Sequence, residues 1–478
     1  MNSTKHIFWG VVDRILFAIV QFGLFLVLTR ILTPKDFGVA AIVLIVLNFL
    51  DIFSQFGLPQ ALIQKEDINT AHISTSIAIS FIIATILSLF LFLFSGNLQD
   101  FFEINDLSRT LKISSFILIV YSLKSVPEAI LIRKYKFKHL TFINAISFTL
   151  SYGICGIIFA INGFKFYSII FAHLIFTIFQ VVLFLRFVKE EIFKLVNISF
   201  NAFKEIQSFA IFQTLSRVGN FIANEAENLI IGKMLGPLSL GYYNRSLKLT
   251  LMPINVLGQG LNNFFFPKFS RIRKNKILIN DILLQLILFI LSVSIPLSIY
   301  INQYSSEIIY VLLGEKWMVM QTYIGLLSFL IPLRSTSKML DTFIRSIGKL
   351  KARSVVQWIY AADTIIFTTI GILYFKLIGA IWGVILASIL NLILMTFLTF
   401  RITEVSLKEY FNKKFINLIS VLTIQIASLS FIYYFFENFL IIEYMVLKFS
   451  LGLFILLISI FFFSRILFEK LLLTIEEE

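Results

Sequence analysis

Apolar residues fill this chain in long blocks, and polar residues gather in the short gaps between them. A helix crossing a bilayer needs about 20 mostly apolar residues. Fourteen stretches meet or approach that length: 11–32, 37–58, 73–96, 113–132, 141–162, 167–187, 207–235, 240–264, 279–301, 318–342, 355–375, 378–400, 415–436 and 442–463. None of the gaps is long enough to fold as a separate domain. Basic residues alternate from gap to gap: counting those at span ends with the adjoining gap, the even-numbered gaps and the two termini hold 25 Lys and Arg, the odd-numbered gaps 8. Cytoplasmic loops carry the excess of Lys and Arg, so the pattern predicts both termini on the cytoplasmic side. Pro34 and Pro237 then fall in extracytoplasmic turns. The remaining eight basic residues lie inside spans.

Composition agrees. Of 478 residues, 58% are hydrophobic and only 14% charged, and mean hydropathy is +0.90. A soluble domain carries about 25% charge. The reading is an all-α polytopic membrane protein with about fourteen transmembrane helices. Abundant aromatics, including 55 Phe, exclude disorder. A single Cys155 and four dispersed histidines exclude a disulfide scaffold and Cys/His metal clusters, so no metal and no cofactor are expected. The formal net charge of +14 reads as loop charge rather than a nucleic-acid surface. The first run, 11–32, contains Asp13, Arg14 and Gln21 and lacks an A-x-A-like site, so it reads as a retained helix and not a signal peptide. No G-x-x-x-x-G-K-[ST] loop exists to cradle ATP phosphates. His173, in the sixth stretch, reads as a satisfied interior residue.

The chain repeats itself at an offset of 203. Arg14 falls on Arg217, Leu32 on Leu235, Pro34 on Pro237, Gly38 on Gly241, Gly57 on Gly260 and Lys65 on Lys268. With only 8 Pro and 21 Gly in the chain, recurrence of Pro and Gly in register means more than Leu on Leu. A weaker echo aligns Ala172 with Ala387 and Arg186 with Arg401. Both repeats begin on the same side, so they are parallel and related by an axis along the membrane normal. The expected domains are a six-helix bundle over 1–200, a second over 201–402, and two additional helices with a tail over 403–478.

Residues 28–67 carry two motifs. The first, R-x-L-x-P-x-[DE]-[FY]-G, is met by Arg30, Leu32, Pro34, Asp36, Phe37 and Gly38. The second, G-x-x-x-A-L-[IV]-Q-[KR], is met by Gly57, Ala61, Leu62, Ile63, Gln64 and Lys65. On these motifs the chain resembles the polysaccharide transporter (PST) family, which holds Wzx-type O-antigen and capsule flippases within the MATE-like MOP superfamily. The resemblance covers roughly residues 7–400. It implies fourteen helices in two V-shaped bundles around a central cavity, alternating access, no ATPase domain, and the bacterial inner membrane. It also implies Na⁺ or H⁺ as coupling ion.

Ionisable residues within spans face the protein interior or water, because lipid exposure is costly. In the seventh stretch Arg217, Asn220, Asn224, Glu227 and Asn228 share one helical face, with Glu225 on its flank. In the eighth, Arg245, Lys248, Met252, Asn255 and Gln259 do the same. Arg14 and Gln21, then Asn48, Asp51 and Gln55, add polar positions in the first two. Further along come Tyr121, Lys124 and Glu128, then Arg334, Lys338 and Asp341, then Asp363 and Lys448. Lys448 reads as snorkelling, and Arg30 and Lys233 as headgroup anchors. Lys124–Glu128 and Lys338–Asp341 are either intrahelical pairs or cavity residues. Arg14, Arg217, Arg245 and Lys248 read as cavity lining. Substrate-binding candidates are therefore Arg14, Gln21, Lys124, Arg217, Asn220, Asn224, Arg245, Lys248, Asn255, Gln259, Arg334 and Lys338. Ion-coupling candidates are Asp51, Glu225, Glu227 and Asp363. Pro127, Pro253, Pro296 and Pro332 lie within spans as kink or hinge candidates.

A substrate with a pyrophosphate between a polyprenyl tail and a sugar chain suits these groups. Arg grips phosphate oxygens in bidentate fashion and Lys adds charge, while Asn and Gln suit sugar hydroxyls. The expectation is a flippase for lipid-linked O-antigen, capsular or exopolysaccharide repeat units, acting by alternating access through a cationic central cavity, and not an enzyme. Membrane lipids surround it, a polysaccharide polymerase and a chain-length regulator are candidate partners, and nucleic acid is not one. A MATE-like multidrug or other cation-coupled exporter is the alternative, although a cation extruder calls for an acidic or aromatic cavity. A glycan polymerase calls for a large extracytoplasmic loop, which the chain lacks. A scaffold without transport leaves the charged stripes without a use.

Overall fold

Residues 20–188, 198–272 and 276–403, with scattered positions between 423 and 458, are described by the computed structural model. Among them all regular structure is helical. The helices are α1 Val20–Ile31, α2 Pro34–Gln55, α3 Leu58–Gln64, α4 Thr70–Phe102, α5 Leu107–Arg133, α6 Phe137–Ile161, α7 Tyr167–Phe187 and α8 Phe200–Ile272. After them come α9 Lys276–Gln303, α10 Ser305–Leu312, α11 Gln321–Leu327, α12 Leu330–Ser346 and α13 Leu350–Thr403. Seven helices among the described residues are long and apolar enough to cross a membrane, or eight if the bent pair Glu315–Leu327 and Leu330–Ser346 is one span. This is a multi-pass membrane protein.

Local chemistry fixes the ends. Pro34 starts α2, where its missing N–H costs nothing. Thr33 caps that helix: its hydroxyl accepts from the Asp36 amide, and the Asp36 carboxylate accepts from the Thr33 amide at 3.0 Å. The other Asp36 oxygen accepts from the Phe166 amide at 3.1 Å, tying this motif residue to the entry of α7. Phe56 and Gly57 are both left-handed, turning the chain from α2 into α3. Two long helices contain the breaks expected between spans. Gly236 (φ 76°) interrupts α8, and Phe375 and Lys376 interrupt α13, where the sequence separates 355–375 from 378–400. The two pieces of α13 then pack backbone to backbone, since a Cβ on Gly379 would lie 1.8 Å from the Gly371 carbonyl oxygen.

Two elements depart from the expectation. The span over 318–342, with Pro332 as its kink candidate, bends by 48° earlier, between Leu327 and Leu330. Pro332 then occupies the first turn of α12, where no intrahelical hydrogen bond is lost. A π-helical segment, Thr149–Gly156, lies inside α6, which hydrophobic periodicity does not reveal.

The chain divides into two compact units, Met1–Gly241 and Tyr242–Glu478. The repeat places a boundary near 200, whereas the first unit keeps α8 as far as Gly241. Packing explains this. Leu58 and Ala61 of α3 are buried against Ile206 and Ala210 of α8, and a Cβ on Gly57 would lie 2.3 Å from the Ala210 carbonyl oxygen. The recurring Pro and Gly close on one another: a Cβ on Gly38 would lie 1.7 Å from the Pro237 carbonyl oxygen, and one on Gly241 would lie 1.8 Å from that of Pro34. Each half of the repeat therefore supplies a glycine against the other half's proline carbonyl. In the second unit the core gathers Phe269, Ile282, Leu286, Ile290, Phe343 and Ile344 from α8, α9 and α12.

Candidate functional site

The first unit concentrates its membrane-embedded polar groups where α2, α5, α6, α7 and α8 meet. Asn48, Asp51 and Gln55 fall at i, i+3 and i+7 along α2. Asp51 Oδ1 accepts from Ser54 Oγ at 2.9 Å, and its Oδ2 accepts from Gln55 Nε2 at 2.6 Å. Gln55 Oε1 in turn accepts from Arg217 Nη1, also at 2.6 Å. The contact between α2 and α8 is reinforced by the Phe49 and Phe221 rings, 5.3 Å apart.

A second branch joins α5, α7 and α6. Lys124 Nζ donates to Gln180 Oε1 at 3.1 Å and lies 5.0 Å from the Tyr121 ring centroid. Gln180 Nε2 donates to Asn144 Oδ1 at 2.7 Å. Lys124 and Arg217 are the two cations whose charge acts on Asp51. Glu128 feels both Lys124 and Asp51. No Lys124–Glu128 salt bridge forms among the described residues: the ammonium turns across to Gln180 instead. His173 is half-buried between two tyrosines, with Tyr121 on Nε2 and Tyr152 on Nδ1 at 2.8 Å. Both ring nitrogens are thus satisfied, as expected of an interior histidine.

Along α8, Arg217 is half-buried while Asn220 and Asn224 are exposed, and Asn224 Nδ2 donates to the Asn220 carbonyl at 2.6 Å. Glu227 and Asn228 are buried. Half-buried Glu225 accepts from Asn228 Nδ2 at 2.8 Å. Gln21 is exposed on α1. In the second unit Arg245, Arg334, Lys338 and Asp363 are half-buried and Lys248 is exposed. Asp341 pairs with Arg345 at 2.9 Å and Arg353 at 2.6 Å. The structure thus brings Asp51, Lys124 and Arg217 into one cluster. Arg14, Lys448, and the side chains of Asn255 and Gln259 lie outside the described residues.

Sequence reasoning passed over Asn144, Gln180 and Tyr152 as site groups. Each is an uncharged polar side chain in a mostly apolar helix. The signal was present, since His173 and Gln180 are seven residues apart and so share a face of α7.

At the membrane edges the charged groups pair. Lys233 does not simply anchor headgroups: its Nζ donates to Glu103 Oε1 at 2.8 Å and lies 5.0 Å from the Phe101 ring centroid. That hydrogen bond holds the Glu103 carboxyl below the ordinary glutamate range. At the other end of the unit Lys65 pairs with Glu205 at 2.8 Å, and His72 Nε2 lies 3.1 Å from the same oxygen. Lys65 and then His72 hold the Glu205 carboxyl low. Arg133 donates to the carbonyls of Leu62 at 2.9 Å, Ile63 at 3.3 Å, Lys65 and Glu66, closing the end of α3.

The fold is shared with solved structures of low sequence identity. The lipid II flippase MurJ in an inward closed conformation superposes with a TM-score of 0.74 at 18% identity, over 96% of this chain and 99% of that one. An inward-facing multidrug-resistance MATE transporter of the MOP superfamily gives 0.62 at 13% identity, over 81% and 95%. The chain belongs to the polysaccharide biosynthesis protein family, whose sequence profile matches residues 27–322. Among curated relatives, a membrane protein of the Klebsiella pneumoniae cps region is 22% identical over 88% of this chain and 87% of its own length. The teichuronic acid biosynthesis protein TuaB of Bacillus subtilis is 21% identical over 84% and 83%. The lipopolysaccharide biosynthesis protein WzxC of Escherichia coli is 21% identical over 78% and 76%.

Proposed function

We propose that this protein is a flippase that moves polyprenyl-pyrophosphate-linked oligosaccharide repeat units across the bacterial inner membrane. The observation that carries the reading is Arg217, a half-buried guanidinium beside Asn220 and Asn224 on α8, in a family of polysaccharide biosynthesis proteins. Arg has five N–H donors, and Gln55 takes one at Nη1. Two others in fork geometry match phosphate oxygens, and the exposed amides match sugar hydroxyls. Arg14, Gln21, Lys124, Arg245, Lys248, Asn255, Gln259, Arg334 and Lys338 complete the cationic cavity in this reading. Alternating access through it needs no ATP.

The layout we assign is fourteen helices as two parallel six-helix bundles, 1–200 and 201–402, with two further helices over 403–478 and both termini cytoplasmic. Na⁺ or H⁺ is the candidate coupling ion, with Asp51, Glu225, Glu227 and Asp363 as its carboxylates. A polymerase and a chain-length regulator are the candidate protein partners.

Deletion in the native host, followed by analysis of polyprenyl-linked intermediates, tests the function. Complete repeat units accumulating on the cytoplasmic face support flipping. Single units already on the outer face would assign the block to polymerisation instead. The fold is shared with a multidrug transporter, so unchanged intermediates with raised sensitivity to cationic drugs would favour drug export.

A further inference from the structure

Arg217 does not meet a carboxylate directly. Its Nη1 donates to Gln55 Oε1, and Gln55 Nε2 donates to Asp51 Oδ2, each at 2.6 Å. A carboxamide has one acceptor end and one donor end, so this chain runs in a single sense from guanidinium through amide to carboxylate. The arrangement differs from a direct ion pair in two ways. A bidentate Arg–Asp pair uses two guanidinium donors and offsets the positive charge at close range. With Gln55 between them, only one donor is used and the charges are held a residue apart. Asp51 is fixed in turn by Ser54 at 2.9 Å. The charged groups acting on it from neighbouring helices are Lys124 of α5 and Arg217 of α8, with Tyr121 and Glu128 of α5 close enough to feel its charge.

We propose that Gln55 is a positioning residue that makes Arg217 and Asp51 one unit: it aims the guanidinium at the anion and lets Asp51 sense whether that anion is bound. This rests on the anion-binding reading of Arg217 given above. Among the coupling candidates it singles out Asp51, on the facing helix, as the carboxylate linked to the arginine. Linkage of this kind is reciprocal, so a change at Asp51 alters anion affinity by the factor with which the anion alters Asp51.

The test uses the full chain, purified in nanodiscs, with geranylgeranyl diphosphate as probe. Gln55→Leu is expected to weaken binding about tenfold in the otherwise wild-type protein. In an Arg217→Ala background the same change is expected to add nothing, because Gln55 acts only through the arginine. An equal loss in both backgrounds would make Gln55 merely structural and overturn the proposal. A second cycle needs no ligand: Asp51→Asn and Arg217→Gln are combined and read by thermal unfolding. Non-additive shifts support the link through Gln55, and additive shifts overturn it. A wild-type protein that does not bind the diphosphate overturns the anion-binding reading, and the unfolding cycle then decides the linkage by itself.

Discussion

Arg133 shows how much one side chain holds at the turn after α3. Its guanidinium reaches four consecutive-region carbonyls, from Leu62 to Glu66, that the end of α3 leaves without helical partners. Hydrogen bonds to a charged donor contribute more than neutral ones, so Arg133→Ala is expected to cost about 2 kcal/mol. Thermal unfolding in detergent checks this, and an unchanged midpoint would count against it. Nearby, Glu205 gives a pH dependence with a definite sign. Its folded carboxyl lies below the ordinary 4.5, chiefly through Lys65 and then His72. A depressed carboxyl stabilises above the unfolded value and loses that contribution as pH falls through the folded one. Glu205→Gln is therefore expected to lower the unfolding midpoint at pH 7 and to converge on the wild type as pH falls through the folded value. A deficit persisting in acid would contradict the pairing. Neither contact was legible in sequence, where Lys65 was one motif residue and Glu205 one of many loop charges.

At the scale of the element, the repeat gains a physical reason. Pro34 and Pro237 each open a helix, and Gly38 and Gly241 each lie one turn further on. A side chain at either glycine would meet the other half's proline carbonyl at under 2 Å. Only glycine permits that approach. Gly38→Ala and Gly241→Ala are each expected to destabilise by about 1–3 kcal/mol, because the helices must move apart. Once one substitution has separated them the second costs little, so the double variant should fall short of the sum. Additive losses in a thermal-unfolding cycle would place the two glycines in independent contacts. The recurrence itself was readable from spacing alone, but the mutual contact was not, since offset matching says which residues correspond and not which residues touch. The breaks at Gly236 and Phe375–Lys376 followed the hydrophobic pattern closely. The bend before Pro332 was half-legible: the proline announced a kink, while its place at the start of a new helix depended on packing. The π segment of α6 left no trace in periodicity.

For the whole molecule, composition and hydropathy sufficed to read an all-helical multi-pass membrane protein, and the motifs of residues 28–67 pointed to its family. The candidate site was legible in part. Helical phase picked out Arg217, Lys124 and Asp51 one helix at a time. Their union with Gln55, Tyr121, Asn144, Gln180 and His173 required the helices to be assembled. Loop charge predicts the topology: after Cys155→Ser, a membrane-impermeant thiol reagent should label the exposed position of Lys35→Cys from outside and leave the exposed position of Lys136→Cys protected. The reverse pattern would invert the orientation.

The central claim is that Arg217 serves transport of a lipid-linked anionic glycan. It is tested most directly in proteoliposomes carrying a fluorescent polyprenyl-pyrophosphate oligosaccharide, with wild type and Arg217→Ala reconstituted at equal abundance. The account predicts that the wild type moves the labelled lipid to the opposite leaflet while Arg217→Ala, folded and inserted, does not. Removing half of a buried structural pair would instead cost about 3–5 kcal/mol and remove the folded protein. Equal movement by both proteins, or by neither, would contradict it.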